Sequence, residues 1–316
     1  MNDKTVTANT VTDSEQSALL TGLKDIAEKS GLDISEELHK INEKLQSCSV
    51  GAKTWERVEL ARHSDRPRTL DYIDMIFEDF TELHGDRFFG DDPALVGGIG
   101  FIEGRAVTVI GNQKGRNLRE TIDRNGGMAH PEGYRKALRL AKQAEKFRRP
   151  IVTFIDTQGA YPGLGAEERG IGEAIAVNLR EFSRLKTPII CFIIGEGGSG
   201  GALGIGVGDK IYMLENAIFS VISPEGCASI LLRDSSRAKD AAVMLKITSR
   251  EVLDLKMING VVAEPDGGAH IDPQKAAAAV RGQLVKDLAD LCKRDVEVLV
   301  KYRKKKIRSV GCFSEH

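Results

Sequence analysis

The chain has 316 residues, 41% of them hydrophobic and 29% charged, which is typical of an ordinary soluble globular protein with one large domain or one domain plus a lobe. Its formal net charge of −1 argues against a dedicated binder of nucleic acid or of membranes. The longest apolar runs are too short to span a bilayer, and the first residues lack the apolar core of a secretory signal, so we expect a cytoplasmic protein.

The N-terminal part of the sequence predicts helices. Residues 1–15 are polar and aperiodic, and we expect a disordered tail there. Two apolar faces at helical spacing follow, one beginning near Ser17 and one beginning at Ser35 and reaching Leu45, with Gly31 between them. They predict a helical hairpin within an N-terminal helical region over residues 16–65. A third helix is predicted from Leu70 to Leu83, with Thr69 as its candidate N-cap.

After Gly97-Gly98, short β-branched runs alternate with helical stretches. Strands are predicted at residues 106–110, 151–155, 188–194 and 217–222, and helices at 133–146, 167–184, from 199, and around 228 and 238. The strand segments are apolar throughout, as expected where both faces of a sheet are covered. The sequence therefore predicts an α/β core with largely parallel strands. A last amphipathic helix, 273–301, leads into a basic cluster at 301–308 that we interpret as a solvated helix end.

The cysteines give no sign of a metal site. There are five, an odd number, and none belongs to a CxxC pair or lies at ligand spacing from a histidine: Cys48, Cys191, Cys227, Cys292 and Cys312. We therefore expect no metal and no disulfide framework in this chain.

Two strand ends lead into glycine-rich turns, residues 155–170 and 194–206. Glycine weakens the interior of an element by about 0.5–1 kcal/mol relative to alanine, so this clustering needs a reason. Three interpretations compete for the second turn. The spacing of Gly195, Gly197 and Gly200 fits a dinucleotide-binding turn, but it falls late in the domain. The glycines around Ser199 fit a G-x-S-x-G nucleophile elbow, with His270 as a possible partner.

The third interpretation uses all the glycines of the second turn. A glycine pair at the start of a helix exposes consecutive backbone N–H groups, and the helix dipole adds positive potential. Such groups form an oxyanion hole, which stabilises negative charge that develops on an enolate or ureido oxygen. In this interpretation Ser199 is an N-cap rather than a nucleophile.

Between about Leu60 and about Pro273 the sequence contains an ordered set of long blocks. They are Ala61-Arg-His-Ser-Asp-Arg-Pro-Arg-Thr-Leu-Asp-Tyr72, Gly85-Asp-Arg87, Val96-Gly-Gly-Ile99, Gly111-Asn-Gln-Lys-Gly-Arg116, Pro131-Glu-Gly-Tyr-Arg-Lys-Ala-Leu-Arg139, Gly165-Ala-Glu-Glu-Arg-Gly170, Gly195-Glu-Gly-Gly-Ser-Gly-Gly-Ala202, Ile222-Ser-Pro-Glu-Gly-Cys-Ala-Ser-Ile230 and Glu264-Pro-Asp-Gly-Gly-Ala-His270. The ordered set is far more specific than a single glycine pattern. Through these blocks the sequence resembles the alpha subunits of bacterial and plastid acetyl-CoA carboxylase carboxyltransferase.

The resemblance implies a crotonase-like fold, a superhelix of ββα units, over residues 66–316. It also implies an activity: transfer of a carboxyl group from carboxybiotin to acetyl-CoA, which gives malonyl-CoA for fatty acid synthesis. The implied partners are a beta subunit that carries a zinc ribbon, in an α₂β₂ assembly, and the biotin carboxyl carrier protein with biotin carboxylase. The biotin is attached to the carrier protein and not to this chain.

The resemblance also assigns residues. The backbone N–H groups of Gly200 and Gly201 would form the oxyanion hole for the biotin ureido oxygen. The carboxybiotin pocket would be shaped by Gly159, Ala160, Tyr161, Gly163, Gly198 and Ser199. Three cations, Lys114, Arg116 and Arg135, would contact CoA phosphates or the carboxylate, unless they form structural or solvated ion pairs.

One position departs from the family pattern. Gln158 stands where family members usually have proline, which loosens the turn and adds an amide. Two alternatives to the transferase stay open on the sequence: a serine hydrolase that uses Ser199 and His270, and a non-catalytic scaffold with a degenerate site.

Overall fold

The computed structural model describes residue 21 and residues 35–311 of the chain. Helix α1 begins at Ser35, as predicted, but continues to Ala61 instead of ending near Leu45. The predicted tail and, apart from Thr21, the first helix of the predicted hairpin lie outside the described residues. The chain divides into two compact units, residues 1–53 and 54–316, and the sheet, the core and the site belong to the second. The predicted domain boundaries at 15 and 65 stay predictions.

The helix predicted over residues 70–83 is only half correct. Helix α2 covers Thr69–Ile76, and the chain then forms an edge strand, β1, at Glu78–Glu82. Thr69 is not the N-cap, because Arg68 precedes the helix and its N–H donates to the Asp71 carboxylate at 2.8 Å. The Thr69 hydroxyl instead donates to the carbonyl of Asn112 at 2.5 Å, which ties α2 to the sheet.

The described strands form one eight-stranded sheet. Their bounds are β2 Leu95–Ile102, β3 Arg105–Asn112, β4 Ile151–Thr157, β5 Ile189–Gly198, β6 Lys210–Leu214, β7 Ile218–Ser220 and β8 Gly260–Val262. The strand order is β1-β2-β3-β4-β5-β6-β8, and β7 pairs with the end of β5. Strands β1 to β3 are antiparallel, and every pairing from β3 onward is parallel. The predicted α/β core with largely parallel strands is confirmed.

Strand β2 was not predicted, because its Gly97-Gly98 pair resembles a break between elements. Packing against β1 explains the glycine at position 98. A Cβ at Gly98 would overlap the carbonyl oxygen of Thr81 on β1, so glycine allows the edge strand to approach.

Helices cover the central strands, which are buried on both faces as their apolar sequences predict. The described helices are α3 Leu118–Asp123, α4 Pro131–Lys146, α5 Leu164–Glu168, α6 Ile171–Phe182, α7 Ser199–Leu203, α8 Pro224–Cys227, α9 Ala238–Leu245, α10 Ser249–Asp254, α11 Pro273–Leu291 and α12 Val296–Arg308, with short 3₁₀ turns at Asn125–Gly127 and Ser235–Arg237 and a π turn at Ala228–Leu232. Gly170, at a φ of +78°, separates α5 from α6 where one helix was predicted.

The basic C-terminal stretch is more than a solvated helix end. Arg303 of α12 is fully buried, and its guanidinium pairs with the Asp209 carboxylate at 2.6 Å. The same guanidinium donates to the carbonyls of Phe182, Leu185 and Thr187 at 2.8 Å each. Arg303 therefore anchors α12 to the segments that precede β5 and β6. None of the helices in the described part of the chain is long and apolar enough to cross a membrane.

Candidate functional site

The two glycine-rich turns lie side by side at the carboxyl ends of β4 and β5. The parallel register joins Thr157 to Gly197 after a bulge in β5, so both strands end at the same edge of the sheet. A Cβ at Gly198 would overlap the Gln158 backbone, and one at Gly201 would lie 2.6 Å from the Gly159 carbonyl oxygen. Because heavy atoms cannot approach so closely, glycine at both positions is required by backbone-to-backbone packing of the turns.

Gly200 has a different environment from its neighbours. The nearest atom to a Cβ built there is the Ile175 Cδ1 at 3.5 Å, and a Cβ at Gly159 would meet nothing within 4 Å. A cavity of about 300 Å³ adjoins this position. Its walls are largely apolar: Ser199, Gly200, Leu203, Phe219, Ser220, Val221, Leu245, Lys246, Val252, Leu255 and Met257. Since the first N–H groups of a helix have no intrahelical acceptor, α7 presents backbone donors beside a ligand-sized apolar space.

Ser199 is the first residue of α7 and not its N-cap, so the capping prediction was wrong. Gly198 occupies the N-cap position, and no side chain caps the helix. Ser199 has a φ of +49°, a strained value that nucleophile elbows share. Within residues 35–311, however, no hydrogen bond links its hydroxyl to a histidine or a carboxylate.

His270 does not provide the base that a hydrolase needs. Its ring stacks on His63 at 3.8 Å between centroids, and its Nδ1 is buried without a hydrogen-bond partner among the described residues. Burial, and after it the nearby His63 and Arg66, lower the pKa of His270 below its ordinary value. The structure therefore does not support the hydrolase alternative, because the serine and the histidine are not assembled with an acid.

The remaining predicted pocket residues lie on the turn after β4. Ala160 packs against Gly201, whose Cβ would lie 2.7 Å from the Ala160 nitrogen. Gly163 lies against the Tyr161 ring. That ring contacts the His130 ring in a tilted arrangement, with 4.2 Å between the ring centroids. The structure thus brings the two turns together, but of the predicted pocket residues it is Ser199 that lines the 300 Å³ cavity.

The three predicted cations all form ion pairs within the chain. Lys114 bridges the Asp156 carboxylate at 2.7 Å and the Glu196 carboxylate at 2.9 Å. Arg116 pairs with Asp71. Arg135 pairs with Asp86 at 2.9 Å, donates to the Arg169 carbonyl and lies over the Phe88 ring. This geometry favours the structural alternative for all three, and contacts with CoA phosphates stay a prediction.

Sequence reasoning missed the role of the segment between α1 and α2. Arg66 donates from Nε to the Ile194 carbonyl at 2.6 Å and binds both oxygens of Glu264, at 2.9 and 2.5 Å. Glu264 also accepts from the N–H and the amide of Asn216 and from the N–H of Ala269. Burial alone would raise the pKa of Glu264, but its bonds to Arg66 and, after them, to Asn216 together outweigh that effect and lower it. In the sequence, Arg66 was visible only as part of the Ala61–Tyr72 block of the family resemblance, with no indication of its buried partner.

The part of the chain from residue 35 to 311 contains no group of three His, Cys, Asp or Glu side chains that could hold a metal ion.

Comparison with known families matches residues 13–311 to the model described as "Acetyl co-enzyme A carboxylase carboxyltransferase-like". The acetyl-coenzyme A carboxylase carboxyl transferase subunit alpha of Treponema denticola is 81% identical over 305 residues, which cover 96% of this chain and all of that protein. The subunit of the same name from Staphylococcus aureus is 52% identical over 300 residues, which cover 94% of this chain and 96% of that protein.

Solved structures with the same fold are more distant in sequence. Transcarboxylase 12S, crystallised with methylmalonyl-coenzyme A and methylmalonic acid, superposes with a TM-score of 0.59 at 19% identity, covering 71% of this chain and 41% of that one. A Pseudomonas malonate decarboxylase hetero-tetramer in complex with coenzyme A also gives 0.59, at 15% identity, covering 76% of this chain and 96% of that one. These likenesses confirm the crotonase-like fold that the sequence resemblance implied.

Proposed function

The chain belongs to the family of acetyl-CoA carboxylase carboxyltransferase alpha subunits, and from that premise we propose that it supplies the half-site that receives carboxybiotin. The family is a transferase component of acetyl-CoA carboxylase. In the proposal, Gly200 and Gly201 supply backbone N–H donors, and the turn from Gly159 to Gly163, which packs on Gly201 through Gly159 and Ala160, completes the carboxybiotin pocket. A beta subunit supplies the acetyl-CoA half of the site.

The packing of the two turns is the observation that carries the proposal. Gly198 and Gly201 are held against the Gln158-Gly159 backbone, so the start of α7 is fixed relative to β4. Gly200, in contrast, lies beside the apolar cavity of about 300 Å³, and a Cβ there would meet only Ile175, at an ordinary contact distance. A fixed set of donors next to an apolar, ligand-sized space is what an oxyanion hole for a bicyclic ureido ring requires. Glutamine at position 158 is compatible with this packing, because Gly198 contacts the backbone of Gln158 and not its side chain.

The site acts through backbone groups and shape. Carboxybiotin, when bound, supplies an activated carboxyl group. The N–H groups at the start of α7 stabilise negative charge on a ligand oxygen as it develops, and they are fixed before the reaction begins. Leu203, Phe219 and Met257 line the cavity with apolar side chains, and an apolar environment strengthens those electrostatic interactions. Ser199 contributes at most one hydrogen bond from its hydroxyl.

The proposed partners follow from the family. We assign the acyl-CoA determinants and the zinc ribbon to the beta subunit, in an α₂β₂ complex, and the biotin to a carrier protein that works with biotin carboxylase. The names of the relatives call them alpha subunits, which supports a complex with a second kind of subunit.

The test is malonyl-CoA-dependent carboxylation of biocytin, the reverse reaction, by this chain alone and by its mixture with the cognate beta subunit. We expect turnover only in the mixture, because the thioester half of the site is absent from this chain. Turnover by the chain alone would contradict the half-site proposal. An inactive but well-formed complex would support the scaffold alternative instead.

The Ser199→Ala variant separates a transferase from a hydrolase. In the complex with beta we expect less than a tenfold loss of kcat/KM for biocytin, because a neutral hydrogen bond contributes about 1 kcal/mol. We also expect no labelling of the unsubstituted chain by a fluorophosphonate. A loss near 10⁴-fold, together with labelling that Ser199→Ala abolishes, would indicate a serine nucleophile.

A further inference from the structure

Five charged side chains form a continuous chain of ion pairs below the glycine turns. They are Asp156, Lys114, Glu196, Arg62 and Glu225, and we call them the ion-pair chain. Lys114 Nζ lies 2.7 Å from Asp156 and 2.9 Å from Glu196. Arg62 joins the other oxygen of Glu196, at 2.8 Å, to Glu225, at 2.7 Å. The sequence separations are large, so the chain exists only in the folded protein.

Each member belongs to a different structural element at the edge where the site lies. Lys114 follows β3, Asp156 is the next-to-last residue of β4, and Glu196 is near the end of β5. Arg62 follows α1, and Glu225 is in α8, just beyond β7. The chain therefore links the carboxyl ends of three neighbouring strands and the helix after a fourth.

Asp156 and Glu196 lie at the start of the two glycine-rich turns and contact each other directly. The Asp156 carboxylate accepts the backbone N–H of Glu196 at 2.9 Å, inside the bulge of β5. The adjoining Gly195 is packed so tightly on Asp156 that a Cβ would overlap its carboxylate. Asp156 thus sets the path of the backbone that leads into Gly197 and Gly198. Lys114 binds the carboxylates of both Asp156 and Glu196, and it therefore fixes the distance between β4 and β5 at this point.

Burial makes the lysine necessary. The side chains of Asp156 and Glu196 are each only 5% exposed, and that of Lys114 is 17% exposed. Burial alone would raise the pKa of Glu196, but Lys114 and Arg62 outweigh it and keep the pKa below its ordinary value. Burial alone would lower the pKa of Lys114, and the two carboxylates outweigh it in the same way. Without Lys114, the buried Asp156 carboxylate would lose the ion-pair partner it has among the described residues, and Glu196 would keep only Arg62.

We propose that Lys114 is a positioning residue for carboxyl transfer, which holds the turn after β4 and the turn after β5 in the register that aims the Gly200 and Gly201 N–H groups. The inference rests on the proposed function of that glycine pair. It differs from the predicted contact of Lys114 with CoA, because both carboxylate partners of Nζ belong to this chain. A displaced donor set costs rate even when every donor is still present.

The test uses the complete alpha–beta complex with malonyl-CoA and biocytin. We expect Lys114→Met to lower kcat by about tenfold or more, with KM for malonyl-CoA within about twofold of the unsubstituted complex. Lys114→Arg retains the charge and should recover part of that loss. The matched control is Lys186→Met, the same replacement at an exposed lysine paired with Glu297, which should leave both constants unchanged.

A second variant addresses unfolding. In Lys114→Met/Asp156→Asn the carboxylate that would be left without a cation is removed with the lysine, so the protein should fold, while the lysine bridge between the turns stays broken and kcat stays low. Hydrogen exchange of the 194–202 backbone, measured without substrates, should be faster by about tenfold in both variants.

Three results would overturn the inference. A rise in KM for malonyl-CoA with kcat retained would show a ligand contact instead. Full activity in the double variant would show that Lys114 only neutralises Asp156. Unchanged exchange at residues 194–202 would show that the turns do not depend on it. Inactivity of the unsubstituted complex, by contrast, would count against the proposed function and leave the exchange measurement to decide the positioning role.

Discussion

Replacement of Gly201 by alanine is expected to lower kcat for malonyl-CoA-dependent carboxylation of biocytin by about 10²–10³-fold, the effect of losing one oxyanion donor. The added Cβ would lie 2.6 Å from the Gly159 carbonyl oxygen and 2.7 Å from the Ala160 nitrogen. Backbone atoms cannot yield to such a contact as a flexible side chain can. The two turns must separate, and the N–H group of residue 201 moves with its own backbone.

Gly200→Ala provides the informative contrast. Its Cβ meets only Ile175 at 3.5 Å, an ordinary contact, so the turns should keep their packing. Any loss of activity in this variant then measures how closely the ligand approaches the backbone, and it should appear in KM for biocytin. Gly172→Ala is the matched control, because a Cβ at this exposed helical position meets nothing within 4 Å.

Each variant must also be tested for complex formation with the beta subunit, which size-exclusion chromatography measures. Equal activity of the Gly201→Ala and unsubstituted complexes would contradict the oxyanion-hole proposal, and it is what a scaffold with a degenerate site would give. Loss of the complex itself would place Gly201 in assembly rather than in the reaction.

The central strands could be predicted because their signal is local. Residues 151–155 and 188–194 are apolar throughout, and a sheet covered on both faces requires that composition. Strand β1 could not be predicted in this way. Its residues, Glu78–Glu82, are mostly exposed, and its conformation depends on pairing with Gly98 of β2, which no local pattern reveals.

The glycine turns of the site were likewise visible in the sequence, because glycine clusters are rare enough to need a reason. The side chains that hold the turns were not. Arg62 and Glu196 are 134 residues apart, and Lys114 and Glu196 are 82 apart. A single arginine or glutamate in a sequence with 29% charged residues carries no sign of a buried partner. The same reason explains why Arg303 was taken for part of a solvated basic cluster.

Glu264→Gln is expected to destabilise the protein by about 3–5 kcal/mol at pH 7, because it leaves the buried Arg66 guanidinium without a counter-charge. The two side chains are 3% and 1% exposed, so solvent does little to weaken the pair. The pair also fixes the end of β5, since Arg66 donates to the Ile194 carbonyl. Glu297→Gln is the matched control: its partner Lys186 is exposed, so we expect a much smaller loss of stability.

The stabilising effect of Glu264 should depend on pH, and the shift of its pKa gives the direction of that dependence. The folded protein holds the pKa of Glu264 below its ordinary value, which is about 4.3 in an unfolded chain. Stability from the carboxylate is therefore complete above that unfolded value and is lost as the pH falls through the folded pKa. Urea unfolding should show a large difference between the unsubstituted chain and Glu264→Gln at pH 7, and a smaller one as the pH drops below about 4. A difference that stays constant down to pH 3 would mean that Glu264 stabilises the fold through the shape of its hydrogen bonds and not through its charge.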